Sequence, residues 1–111
     1  MRIVRNAEPP APPTRAGWPE LCALPLSPDD LPEVEWVTYV EEGLGDAVAG
    51  CVELEGGWVV GFVRYLLGSW PHLTVVAFTA QENLAAVLAA LLDATGLTEA
   101  DLPWVSPDVR P

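Results

Sequence analysis

Apolar residues alternate with polar or small ones on both sides of Gly56-Gly57, and this pattern predicts a β-hairpin. Glycine accepts the positive φ that two-residue hairpin turns demand. With Gly56 and Gly57 as the loop, the strands run near 47–55 and 58–67, and the register pairs Glu55 with Trp58, Glu53 with Val60, Cys51 with Phe62 and Ala49 with Arg64. Successive residues then point to opposite faces. One face collects Val48, Gly50, Val52, Leu54, Val59, Gly61, Val63 and Tyr65 and is expected to line the core. The other mixes Ala49, Cys51, Glu53 and Glu55 with Trp58, Val60, Phe62 and Arg64.

The same alternation recurs over 33–41, where Val34, Trp36, Thr38 and Val40 interleave with Glu35, Val37, Tyr39 and Glu41, and predicts a strand before the hairpin. Gly43 and Gly45 break it, and Gly68-Ser69-Trp70-Pro71 makes the next turn. Leu73 to Thr79 is apolar on both sides, as in a strand covered on both faces. The period then changes. Leu84, Val87, Leu88, Leu91 and Leu92 recur at helical spacing, which predicts a helix over 80–94 that lays this stripe on the sheet. Thr79 and Glu82 have the spacing of a capping box, and Gly96 suits a left-handed C-cap. Ala85, Ala86, Ala89 and Ala90 leave the rest of the helix small, either as half-exposed helix formers or as a second buried wall.

Ser27-Pro28-Asp29-Asp30 and Thr98-Glu99-Ala100-Asp101 each place a capping hydroxyl before acids, so each predicts one helical turn. Pro9, Pro10, Pro12, Pro13 and Pro19 forbid a helix or inner strand near the start. This stretch is read as an extended arm, either a ligand for an aromatic groove or a strap tied down by Trp18, Leu21 and Leu24. The expected architecture is therefore α+β: a four-stranded antiparallel meander with one C-terminal helix on one face, with residues 1–26 as a Pro-rich arm and 27–111 as a single domain. Trp104 anchors the irregular tail.

Charge changes the picture most. Among 111 residues there are 16 acids against five cations, all arginine, for a net charge of -11. That balance argues against direct nucleic-acid binding and against docking on anionic lipid, and in favour of a basic partner. No apolar run approaches the roughly 18 residues of a membrane span, and no secretion signal is evident at the start, so a cytoplasmic location is expected. Cys22 and Cys51 form no metal-binding or disulfide pattern and are read as reduced structural thiols.

Chemistry is thinly represented. The single histidine, His72, stands in a turn after Pro71, and no nucleophile elbow, phosphate loop, dinucleotide fingerprint or zinc-protease motif occurs. Asp29, Asp30 and Glu33 lack the spacing of a calcium loop. No catalytic residue, metal or cofactor is expected. Between Arg15 and Arg64, however, every charged residue is acidic, and part of this block lies on predicted strands beside aromatic residues. A partner-binding surface is expected at Glu35, Glu41, Glu42, Asp46, Glu53, Glu55, Trp58 and Phe62, with charge steering the encounter and aromatics supplying affinity. The expectation is a small non-catalytic protein that docks on or neutralises a basic protein, of inhibitor or immunity type, with mimicry of nucleic-acid charge as one form. Two alternatives are an assembly subunit, a homo-oligomer built through the helix wall and sheet face, and an enzyme with a Trp-lined pocket for a small ligand.

Overall fold

A computed structural model of the chain describes residues 1–12, 17–43, 45–67 and 70–110. Pro13 and Arg15, and the Gly68-Ser69 part of the expected turn, lie outside the described residues. The fold is α+β, one antiparallel sheet of seven strands with a single α-helix among the described residues. In chain order the strands are β1 (Arg5–Asn6), β2 (Glu20–Leu24), β3 (Val37–Glu41), β4 (Gly45–Glu53), β5 (Val59–Tyr65), β6 (Leu73–Ala77) and β7 (Trp104–Val105), and the helix is α1 (Leu84–Thr95). The four expected strands, β3 to β6, do form a consecutive antiparallel meander. The sheet continues beyond it: β2 pairs with β6, β7 with β2, and β1 shares an edge of β4 with β3. Two of these added strands come from the stretch read as an arm. Leu21, Cys22, Ala23 and Leu24 of β2 are buried in the core, so this part of the stretch is a strand of the sheet.

The hairpin turns where the two glycines stand, but its register differs by one residue from the expected one. Leu54 N–H donates to Trp58 O at 2.7 Å and Gly57 N–H to Leu54 O at 3.1 Å, so the loop holds three residues, Glu55, Gly56 and Gly57. Gly56 and Gly57 adopt φ of 91° and 85°, which only glycine takes without strain. The pairs are Glu53 with Val59, Val52 with Val60, Cys51 with Gly61 and Gly50 with Phe62. One extra loop residue turns every β5 side chain to the opposite face relative to β4. Val52, Leu54, Trp58, Val60 and Phe62 thus share one face, while Ala47, Ala49, Cys51, Gly61, Val63 and Tyr65 share the other.

The first of these faces is the core. Leu84, Val87, Leu88 and Leu91 of α1 cover it, joined by Leu73, Val75 and Ala77 of β6. The helix starts at the first leucine of its stripe, later than the capping pattern at Thr79 and Glu82 implies. Ala80 is extended, Gln81–Asn83 form a 3-10 turn, and the Thr79 hydroxyl accepts from the Asn83 amide at 2.9 Å rather than closing a box with Glu82. At the other end Gly96 is left-handed, with its N–H on Leu92 O. Ala85, Ala86 and Ala89 face solvent, so the helix has no second buried wall.

The crossing from β2 to β3 packs on the same face. Leu31 and Val34 are buried there, and the Trp36 ring meets Phe62 at 6.1 Å. Val34 and Trp36 alternate like strand residues yet precede β3, because they fill the space above Gly50, where an added Cβ would collide with Val34. The two short turns form as expected. The N–H and hydroxyl of Ser27 both donate to Asp30, and those of Thr98 to Asp101.

Candidate functional site

With the helix and the crossing on one face, the other face of the sheet is only partly covered. Small side chains from β4 and β5 (Ala49, Cys51 and Gly61) make its floor. Larger ones flank it: Val37 and Tyr39 on one side, Val63, Val76 and Phe78 on the other. Residues 7–9 close one end, and the groove so formed encloses about 660 Å³. Phe78 lies over Gly61, where an added Cβ would stand 2.8 Å from the ring. Trp18 meets Phe78 edge to face at 6.0 Å, and its indole N–H donates to Pro10 O at 3.2 Å. Aromatic stacking therefore straps the described part of the Pro-rich stretch across this face.

The rim is acidic. Glu8 and Glu35 line the groove, and among the described residues no arginine does. Glu41 lies at the end of β3, where the Tyr39 hydroxyl donates to its Oε2 at 3.0 Å and the Tyr65 hydroxyl approaches the same oxygen at 3.5 Å. Both tyrosines flank Ala47 in the ladder, which explains why that alanine is fully buried. Burial, and then the hydrogen bond to Glu41, push the Tyr39 phenol up to about 12. Tyr65 is raised as well, by burial first, then by the charge of Glu41 and its hydrogen bond, with the charge of Glu20 adding to it.

The arginines among the described residues lie outside the groove lining. Arg2 pairs with Asp93 at 2.7 Å, Arg5 with Glu53 at 3.7 Å, and Arg110 with Glu99. Arg64 projects to the helix-bearing face beside Val48, with its Nε buried and unpartnered among the described residues.

The eight expected site residues are not brought together. Glu35 lines the groove, and Glu41 lies outside the lining, joined to it through the Tyr39 hydroxyl; Glu42 and Asp46 are exposed at the β3–β4 turn. Glu53 and Glu55 stand at the opposite end of β4, roughly 23 Å from Asp46 at about 3.3 Å per residue. Trp58 and Phe62 are on the core face, Phe62 with 0 % of its surface exposed, so neither belongs to the open face on which the expected register placed it. The groove residues that sequence reasoning did not single out are Glu8, Val37, Tyr39, Val63, Val76 and Phe78. A signal for three of the rim and wall positions was present, since Val37, Tyr39 and Glu41 alternate onto one side of a strand.

Burial raises the Cys22 thiol to about 12 and the Cys51 thiol, on the groove floor, to about 11. His72 packs edge to face on Trp70 at 4.9 Å, away from the groove lining. Glu33 binds the Met1 amino group at 2.7 Å and Asp30 caps its own turn. Among the described residues no group of three His, Cys, Asp or Glu side chains is placed to hold a metal ion, and no helix is long and apolar enough to cross a membrane. Comparisons with protein-family models, curated proteins and solved structures found no match.

Proposed function

We propose that this is a non-catalytic binding protein that docks on or neutralises a basic protein, and that the open face of its sheet is the docking surface. One observation carries the reading: an apolar groove of about 660 Å³ has carboxylates at its rim and no cation among the described residues of its lining. Apolar surface of this kind on a small protein marks an interaction site more often than chance exposure. Carboxylates without counter-ions speed encounter with a positive partner and reject negative ones. An inhibitor or immunity protein that covers the phosphate-binding surface of its target would need this combination. Self-assembly through the same face is disfavoured, because it would bring two chains of net charge -11 into contact.

Affinity capture from source lysate tests this at low and high ionic strength, with wild-type protein and with a Glu8→Gln/Glu35→Gln variant as bait. A basic protein should be recovered at low salt, and its recovery should fall at high salt and with the variant. Recovery of no basic protein at low salt, together with a stable oligomer of the chain in solution, would establish the assembly reading instead.

A further inference from the structure

Beside the groove the sheet ends on an open strand edge. β3 pairs with β4 along one side and, among the described residues, with no strand along the other. The direction of its backbone groups follows from the ladder. Asp46 O accepts from Leu66 N–H at 2.9 Å, so the backbone of Asp46 faces β5. Alternation along β4 then turns Ala47 and Ala49 towards β3, where their partners are Tyr39 and Val37. Thr38 and Val40 consequently point their N–H and C=O groups outward.

This edge lacks the usual protections. β1 and β7 have two residues each, too short to template another strand, whereas β3 has five and carries no proline, lysine or bulge. Val37 is 61 % exposed and Val40 74 %. On the groove side the edge presents Val37, Tyr39 and Glu41, and it is bracketed by Glu35 and Glu42. Apolar positions flanked by acids thus lie beside a row of free backbone groups.

We propose that an extended, arginine- or lysine-bearing segment of a protein partner adds to the outer edge of β3 as a further strand, its alternate side chains lying beside Val37, Tyr39 and Glu41. Thr38 and Val40 supply the main-chain hydrogen bonds, and the glutamates select the sign of the incoming side chains. The proposal rests on the basic-partner reading above and specifies how that partner is held. A second copy of this chain is the poorer occupant, since its own Glu35, Glu41 and Glu42 would arrive at an edge that holds no cation among the described residues.

The test uses the full chain and a capped, alternating valine–arginine octapeptide, with amide hydrogen exchange followed by NMR. At saturation the Thr38 and Val40 amides should exchange at least about tenfold more slowly, as expected for newly bonded N–H groups. Binding should weaken with salt, and a valine–glutamate octapeptide should not bind. Val40→Pro deletes one outward donor and leaves the Tyr39 and Glu41 bonds to β4 in place, so affinity should fall at least about tenfold. Because proline can disturb the edge itself, the wild-type exchange data decide independently of that variant. Peptide binding with Thr38 and Val40 exchange unchanged, and with shifts confined to Ala49 and Val63, would overturn strand addition while leaving the basic-partner reading intact. Protection of Thr38 and Val40 without peptide, rising with protein concentration, would make a second copy the occupant and also overturn it. Absence of peptide binding overturns the edge proposal alone, since lysate capture tests the broader reading separately.

Discussion

Gly61→Val should destabilise the protein although valine is the better strand former. Gly61 is a floor residue of the groove, paired with Cys51 and lying under Phe78. A Cβ at this position would stand 2.8 Å from Phe78 Cζ and 3.0 Å from Cε2, closer than real Cβ contacts allow. Phe78 is not free to swing aside, because its ring is held edge-on by Trp18, which is itself tied to Pro10. Overpacking of this kind costs about 1–3 kcal/mol, and improved strand propensity returns at most about 1 kcal/mol. A net loss of about 1–2 kcal/mol is expected, which for a domain of this size lowers the urea midpoint by roughly 1 M. Urea unfolding followed by tryptophan fluorescence measures it, and Trp18 should also report a changed native environment. In a Phe78→Ala background the same substitution should be neutral or stabilising, giving a coupling of at least about 1 kcal/mol. A midpoint equal to or above wild type, or a loss that persists without the Phe78 ring, would refute this account of the groove floor.

Trp58→Ala should cost about 2–4 kcal/mol and Phe62→Ala about 3–5 kcal/mol, because both rings stand on the core face, Trp58 partly and Phe62 fully buried; unchanged melting of either variant would mean that the register is wrong. Tyr39 keeps its proton up to about pH 12 in the folded chain, above its unfolded value of about 10, so its contribution to stability is complete below about pH 10 and is lost as pH rises towards 12. Ultraviolet titration of the tyrosinate band should show this late ionisation, and Glu41→Gln should shift it to lower pH; ordinary, simultaneous ionisation of both tyrosines would contradict the network. Neither cysteine should react quickly with a thiol reagent at mildly alkaline pH in the folded state, because burial raises both thiols, while both should react on unfolding. Cys51 should be the faster of the two, and a groove-bound partner should slow it further; equal reactivity would contradict the placement of Cys51 at the groove floor.

The elements legible from the sequence are those whose signals are local. The leucine stripe with Gly96 behind it, the Ser27 and Thr98 turns, and the position of the hairpin depend on residues within a few places of one another. The meander order of β3 to β6 follows from short connections. What local chemistry leaves open is the difference between a two-residue and a three-residue loop at Gly56-Gly57, since glycine suits either. Packing of Leu54, Trp58 and Phe62 under α1 selects the second, and that single residue exchanges the core face of β5 for its groove face. β2 was equally invisible, because Pro19 and Pro25 flank it and its partner β6 lies some fifty residues away. Val34 and Trp36 alternate just as Thr38 and Val40 do; only Gly50 beneath them makes the first pair a crossing and the second a strand edge. The net charge is a property of composition, but the groove and the open edge beside it, where the proposed basic partner would dock, exist only because tertiary packing placed the helix on the opposite side of the sheet.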